Sequence, residues 1–459
     1  MSALTCVSPV DNTIFASRET VTAQEARNMI AHAKSAGKTW SQRPLNERVE
    51  IVMAAIKRLA LEKEEAGIEM AHMMGRPVHQ FFEFNGCLER ASYMALIAEE
   101  ALAPIIIEDS AQFERRIEKE PCGLVFIVAP WNYPYLTTIN SLVPALIAGN
   151  SVLMKHASQT LLVGERLERV FKEAGLPEGV LQNIHLDHET SSALIGEGHF
   201  GFVNFTGSVG GGKAMEQASA GTFTPVGTEL GGKDPAYVME DADLDVAVAS
   251  LMDGAFFNAG QCCCGIERIY VHEALFEAFV EKSVTEILRL KLGNPFDAST
   301  TIGPMAHRRF ADEIRGQISE AVEAGAQLLI PASAFPEDDG GAYLAPQLLT
   351  DVTHAMRIMR DESFGPVVAV MKVSSDEEAV ALMNDSHFGL TASLWGQDAQ
   401  RVARLGKLLE TGTVFMNRCD YLDPAICWTG CKDTGHGVTL SILGYNALTR
   451  PKSYHLRKG

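Results

Sequence analysis

Apolar positions recur every three to four residues through the first seventy residues of the chain. "AQEARNMIAHAKSAG" and "NERVEIVMAAIKRLALEKEEA" each set an apolar stripe against a charged face, which predicts helices across residues 22 to 70. Near residue 122 the texture changes. "GLVFIVAP", "SVLMKHA", "LQNIHLD" and "GFVNFTGS" are short apolar runs that predict four buried strands. Between the second and third, Val163, Leu167, Val170, Phe171 and Ala174 fall at helical spacing and end in a Gly-Leu-Pro stop. Strands separated by helices, with no hairpin turns, imply parallel pairing in a doubly wound sheet. The second half repeats this texture. "IERIYV" reads as a strand, and Phe276, Val280, Val284 and Ile287 share one face of a following helix. Alternation continues through "VVAVMKV", "EEAVALMND" and "TASLWG", and "PASAFPEDDGGAYLAP" is a surface loop. There is no internal repeat and no long linker, so the expected architecture is two α/β domains with a cleft between them.

Length agrees with that division, because 459 residues exceed the roughly 250 to 300 at which single cores stop growing. Hydrophobic residues at 46% and charged residues at 21% fit a globular chain rather than a disordered one. A formal net charge of −19 argues against nucleic acid and anionic membrane as partners, since both call for a basic surface. The start "MSALTCVSPVD" lacks the basic and apolar regions of a secretory signal. "INSLVPALIAGNSVLM" is the most apolar span, and its Asn, Ser, Pro and Gly leave it short of a bilayer crossing. Nine cysteines, an odd number with no disulfide-framework spacing, point to a reducing, cytoplasmic compartment.

Three of those cysteines are adjacent, in "FFNAGQCCCGIERIYV". A shared metal is not expected, because consecutive residues on a strand or helix do not face one another and tetrahedral sites use spaced pairs. Buried structural cysteines are the plainer alternative, since free cysteine is among the most buried residue types. The small, polar, turn-prone "NAGQ" weighs against it by holding a thiol at an exposed edge of an element.

This stretch resembles the N-x-G-Q-x-C run of the NAD(P)-dependent aldehyde dehydrogenases, carried here by Asn258, Gly260, Gln261 and Cys263. Other motifs match in order: "PWNYP" with Asn132, "LMKHA" with Lys155, "FTGSVGGG" with Gly207 and Ser208, "TELGGKDP" with Glu229, and "DESFGPV" with Glu362 and Phe364. Together they span about Ser8 to Lys452. The resemblance is to the branch that does not acylate coenzyme A, semialdehyde dehydrogenases included, because acyl-transferring members commonly lack the glutamate. It implies Cys263 as nucleophile, Asn132 as oxyanion donor and Glu229 as the base that activates water. Each assignment has a chemical reason. A bare aldehyde gives up hydride poorly, whereas a thiohemiacetal oxyanion expels it and leaves a thioester for hydrolysis. The oxyanion needs a fixed donor, and the thioester needs a base.

By the same resemblance the coenzyme, NAD or NADP, is held by Lys155, Ser158, Gly207, Ser208, Trp131, Leu230, Glu362 and Phe364. From the residues alone, "GSVGGGK" is not the G-x-G-x-x-G fingerprint, although it follows a strand and opens a helix. NAD-preferring relatives often carry Glu at the position of Ser158, so serine permits NADP without excluding NAD. The substrate tunnel is expected to include Tyr133, Leu136, Asn140, Cys262, Cys264, Tyr421 and Trp428. Arg418 stands near its mouth, either as a site for a substrate carboxylate or as a surface ion-pair partner. Arg268 is taken as structural. The late "CWTGCKDTG" departs from the family's P-F-G-G-x-K pattern.

The expected architecture is thus aldehyde dehydrogenase-like: a Rossmann-like coenzyme domain at 1–102 and 122–230, a catalytic domain at 231–433, and a small oligomerisation β-segment from 103–121 and 434–459. The implied assembly is a homodimer or homotetramer acting on a small-molecule aldehyde. The alternatives are a thiol redox sensor built on the three cysteines, or a non-catalytic binding protein that keeps the fold.

Overall fold

The computed structural model describes residues 3–419 and 421–458. The four strands expected after residue 122 and a fifth form one parallel sheet, in the spatial order Leu181–Asn183, Ser151–Lys155, Leu124–Val128, Phe202–Thr206 and Val226–Glu229. The last strand lies outside the expected set. Its "VGTE" is too short and polar to register as an apolar run, and it is a strand because it pairs with Phe202–Thr206 and all four of its residues are buried. The helices of residues 22–70 are Ala23–Ser41, Leu45–Ala60 and Lys63–Met74. The first opens with a capping box in which Thr22 and Glu25 satisfy each other's backbone N–H groups.

A second sheet of seven strands runs Gln327–Leu328, Gln347–Thr350, Val367–Val373, Ile266–His272, Asp234–Val238, Thr391–Trp395 and Thr413–Met416, parallel except at its first, edge strand. Helices Leu244–Phe256 and Phe276–Ile287 pack on it. Both sheets are covered by helices, which is why their strands read as nearly continuous apolar runs rather than alternating ones.

A third, antiparallel sheet joins Ile105–Asp109, Phe113–Pro121 and the C-terminal strand Thr449–Arg457. Ile105, Ile106 and Ile107 stand more than half exposed on its outer strand. Of the stretch after residue 433, only Thr449–Arg457 enters this sheet. Val438–Thr439 pairs with Trp428–Thr429, and helix Ser441–Ala447 packs on helix Glu83–Leu102. No helix among the described residues is long and apolar enough to cross a membrane.

The sheets meet end to end. The chain leaves the first at Glu229, the C-terminal end of its strand, and enters the second at Asp234, the N-terminal end of the next. Residues that follow strands of the first sheet therefore face residues that precede strands of the second, which is where ligands of open α/β sheets bind. Phe126, fully buried in the central strand of the first sheet, stacks on Phe200 at 4.8 Å. Phe126→Ala is expected to cost about 3 to 5 kcal/mol, read as a lower denaturation midpoint; an unchanged midpoint would show that this core collapses around the gap.

Candidate active site

Three neighbouring parallel strands of the second sheet begin at the junction, and each is preceded by a stretch of expected chemistry. Lys233 precedes Asp234–Val238, Cys262 to Cys264 precede Ile266–His272, and Glu362 to Phe364 precede Val367–Val373. From the other side, Trp131 and Asn132 follow Leu124–Val128, Gly207 and Ser208 follow Phe202–Thr206, and Glu229 ends its strand.

The cysteines are aimed by a left-handed turn. Asn258, Ala259 and Gly260 have φ of 56°, 55° and 69°, a conformation costly for alanine and free for glycine. At Gly260 no side chain fits, because an added Cβ would lie 2.1 Å from the Gly365 carbonyl oxygen. Gln261 locks the turn: its Nε2 donates to the Asn258 carbonyl at 3.1 Å, and its Oε1 accepts the Ala306 N–H at 2.8 Å. Contrary to the reading of "NAGQ" as an exposed edge, Asn258, Ala259 and Gln261 are each under 5% exposed. The polar residues satisfy one another inside the protein rather than facing water.

A second expectation also fails. The three thiols do face one another, with their Sγ atoms all within 4.8 Å and Cys262 and Cys264 at 3.5 Å. The reason is that they lie on neither strand nor helix. The Gly265 N–H donates to the Cys262 carbonyl at 3.1 Å, closing a tight turn that brings consecutive side chains round to one side. Hydrogen bonding with Cys263 and Cys264, and further with Tyr133, holds the Cys262 thiol well below its usual range, while the same contacts and burial push Cys263 and Cys264 up. One thiolate, stabilised by its neighbours' S–H groups, is what such a cluster favours. Leu390, Trp428 and Leu440 pack against it, with Leu422 at the margin.

Asn132 is 5% exposed, and its Nδ2 donates to the Gln261 carbonyl at a long 3.3 Å. Its own carbonyl accepts Arg76. Arg76 also donates Nε to Asn258 Oδ1 at 2.9 Å, pairs with Glu83 at 2.6 Å, and lies 4.6 Å above the Tyr133 ring. Glu83 in turn accepts the N–H groups of Tyr135 and Leu136, at the start of helix Pro134–Ala148. A single buried cation thus ties the amide donor to the cysteine turn. The Cys263 N–H makes no hydrogen bond among the described residues, which leaves it available beside Asn132.

Glu229 is 6% exposed, and its carboxylate accepts Thr439 Oγ1 at 2.5 Å and Thr206 Oγ1 at 3.3 Å. Burial, only partly offset by those hydroxyls and the charge of Arg90, pushes it up to about 7. Of the two glycines that follow Leu230, Gly232 is sterically required, because its neighbour is backbone. A Cβ at Gly231 would meet the Glu362 carboxylate at 2.3 Å, and one at Gly232 the Cys263 carbonyl oxygen at 2.5 Å. Glu362 accepts the Gly232 N–H at 3.0 Å and is pushed up to about 8 by burial and by the charge of Glu267. Glu267 pairs with buried Lys233 at 2.5 Å and accepts the N–H groups of Ser363 and Phe364.

The residues expected to hold a dinucleotide form an open cradle. Ser208 caps helix Val209–Ser219, and nothing lies within 4 Å of a Cβ added at exposed Gly210, so the helix start is accessible to a pyrophosphate. Phe205 packs under Gly207, and Leu230 under Gly212, bringing that helix close to the sheet. Lys155 is 6% exposed at its strand end, and burial pulls it down. Ser158 is exposed one turn further on. Trp131 stacks on Phe310 at 5.1 Å and meets Phe364 edge-on at 5.4 Å.

The expected tunnel residues divide. Tyr133, Cys262, Cys264 and Trp428 gather at the thiols. Leu136 is half-buried against Gly86. Asn140 is 2% exposed and its Oδ1 accepts Arg90 at 2.9 Å. Tyr421 bonds Glu89 at 2.6 Å, and exposed Arg418 lies 3.9 Å over its ring. Arg268 donates to the carbonyls of Lys233 and Met383, a structural role. Arg76, Glu83, Arg90 and Thr439 escaped the sequence reading because each meets the site through distant contacts. A charged Glu267 inside the strand "GIERIYV" was a visible signal of a buried pair.

The family model described as the aldehyde dehydrogenase family matches residues 2–454. An aldehyde dehydrogenase of Paenarthrobacter nicotinovorans is 32% identical over 98% of this chain and 99% of its own. A succinate semialdehyde dehydrogenase [NAD(P)+] of Escherichia coli is 31% identical over 92% and 91%. Among solved structures, an NADP-dependent glyceraldehyde-3-phosphate dehydrogenase from Bacillus halodurans, complexed with NADP, superposes with a TM-score of 0.93, 30% identity, and coverage of 100% of this chain and 96% of that one.

Glu229 holds its proton more tightly folded than unfolded, from 4.5 up to about 7. Its contribution is therefore complete below about pH 4.5 and is lost as pH rises towards 7. Glu229→Gln removes that loss. Between pH 4.5 and pH 8 the variant should gain on the order of 3 kcal/mol over the wild type, measured as the difference in denaturation midpoints; parallel pH profiles would place the Glu229 proton elsewhere.

Proposed function

We propose, from the premise that the chain belongs to the aldehyde dehydrogenase family and oxidises small-molecule aldehydes with NAD or NADP, that Cys263 is the nucleophile, Asn132 the oxyanion donor and Glu229 the hydrolytic base. The observation that carries this reading is Glu229 itself, a carboxyl buried at the junction, fixed by two threonines and tuned to about 7, where a general base works best.

Passing a proton from Cys263 to Cys262 across the thiol cluster puts the charge on the nucleophile. Addition of Cys263 Sγ to the aldehyde carbon then places the new oxyanion against Asn132 Nδ2 and the Cys263 N–H. Bound nicotinamide supplies the acceptor for the departing hydride. Glu229 next takes a proton from water, which attacks the thioester and releases the acid and the thiolate. Lys155 and Ser208 would hold the coenzyme's adenosine ribose and pyrophosphate, and Glu362 would hold its nicotinamide ribose.

Residues 1–102 and 122–230 act as the coenzyme domain and 231–433 as the catalytic domain, in a homodimer or homotetramer. Support for assembly comes from the exposed isoleucines of Ile105–Asp109, an edge strand that otherwise invites pairing. Nine free cysteines fit a reducing cytoplasm.

In rapid mixing, Glu229→Gln should give a burst of reduced coenzyme approaching one per site and then a very slow steady state, with acyl group retained on Cys263. Cys263→Ala should give neither phase. Absence of the burst in Glu229→Gln at every pH, with coenzyme still bound, would remove the hydrolytic-base assignment.

Ser158→Glu should lower kcat/KM with NADP relative to NAD by about 5- to 150-fold, because a carboxylate against the 2′-phosphate costs on the order of 1 to 3 kcal/mol. An unchanged ratio would place Ser158 away from the ribose.

A further inference from the structure

We propose that Cys262, Cys263 and Cys264 together form a binding site for one soft d10 metal cation, of the zinc(II) class, held as a trithiolate. The inhibitory consequence of this site rests on Cys263 being the nucleophile; the binding does not.

The geometry is close to what such an ion requires. A cation with metal–sulfur bonds of about 2.3 Å, centred among three sulfurs, needs sulfur–sulfur separations of about 4.0 Å. Here all three Sγ atoms lie within 4.8 Å and the closest pair at 3.5 Å, so small side-chain rotations complete the triangle. The backbone beneath them is already fixed by the Gly265-to-Cys262 hydrogen bond and by the buried turn that Gln261 locks. None of the three is spent in a disulfide. The surroundings select the class of ion. Leu390, Trp428, Leu440 and Leu422 enclose the cluster and the Tyr133 hydroxyl reaches Cys262, a lining of apolar groups and one neutral oxygen that suits a hard cation such as calcium or magnesium poorly, whereas thiolates favour zinc and copper(I).

Binding breaks three S–H bonds at most and forms three metal–sulfur bonds. The protons pass to the buffer, and no electrons are exchanged. With its thiolate charge donated to the metal, Cys263 is a weaker nucleophile towards an aldehyde and is partly covered by the ion, so the ion acts as a reversible inhibitor that coenzyme turnover and a chelator each report.

The test uses cadmium(II) as the probe, added to the full-length enzyme under a phosphine reductant. One equivalent should produce sulfur-to-metal charge-transfer absorption in the mid-ultraviolet, and X-ray absorption on the zinc(II) form should count three sulfur neighbours. Cys262→Ser and Cys264→Ser should each weaken binding beyond the roughly 10- to 100-fold that outer-sphere changes cost. Cys122→Ser, at a remote thiol, should leave the titration as it was. No absorption band, a band indifferent to both serine variants, or a single sulfur neighbour would each overturn the proposal. A band with three sulfurs and undiminished turnover would keep the site and instead remove Cys263 as nucleophile.

Discussion

The structure depends on one buried cation holding two distant pieces of backbone in register. Arg76 leaves the end of an N-terminal helix and reaches the Asn132 carbonyl, Asn258 Oδ1 and Glu83 at once, with its guanidinium over Tyr133. Its side chain and that of Glu83 are each 1% exposed. Such a pair is weak evidence for stability as a whole, but removing one member strands the other charge in a medium that cannot solvate it, at about 3 to 5 kcal/mol. What the arrangement secures is position. The amide donor follows a strand of one sheet, the cysteines precede a strand of the other, and no continuous element joins them. The Arg76 fork supplies that join, and its planar donors suit three acceptors at fixed angles as an ammonium would not.

Around this frame the interior is dry enough to change acid strength. Glu229 and Glu362 are pushed up to about 7 and about 8, and Asp234 is raised too, all with burial as the leading cause. They are not equivalent. Asp234 is bound by the Thr391 N–H and hydroxyl and serves the sheet. Glu362 accepts the Gly232 N–H, and burial together with the charge of Glu267 makes it hold its proton more tightly than an ordinary carboxyl. Glu229 has two hydroxyl donors among the described residues, and burial raises its carboxyl to about 7, near the range the proposed base would need. Burial that lowers folded stability is the same burial that would make the proposed base effective, a trade expected of catalytic sites.

Much of the fold could be read from the chain because its strands are buried on both faces and announce themselves as apolar runs. Leu124–Val128, Ser151–Lys155 and Val367–Val373 fall where the pattern places them. Val226–Glu229 does not, since four residues ending in Thr-Glu carry too little apolar signal, and only pairing with a neighbour makes them a strand. The candidate site was legible where a motif is contiguous, as at Asn132, Glu229 and Cys263. Arg76, Arg90 and Thr439 were not, because each reaches the site across tens or hundreds of residues, through contacts that no local spacing records. The two errors at the cysteines share one cause. Polarity in "NAGQ" was read as exposure and adjacency in "CCC" as divergence, and both inferences assume regular structure, whereas the chain there is a buried run of left-handed residues followed by a tight turn.

That turn also separates two properties of the thiol cluster. The direction of Cys263 is set by backbone: by Gly260 against Gly365, by Gln261 bonding Asn258 and Ala306, and by the Cys263 carbonyl over Gly232. None of these contacts involves the sulfur of Cys262 or Cys264. The flanking thiols are therefore not needed to aim the proposed nucleophile, and what they add is chemical. They share its proton, stabilise a thiolate within the cluster, and supply soft ligands in an apolar enclosure. A single thiol on the same backbone would keep the direction of attack while losing that proton relay and the affinity for soft cations. Position and reactivity at this proposed nucleophile thus rest on different atoms, the first on amides and glycines, the second on sulfur.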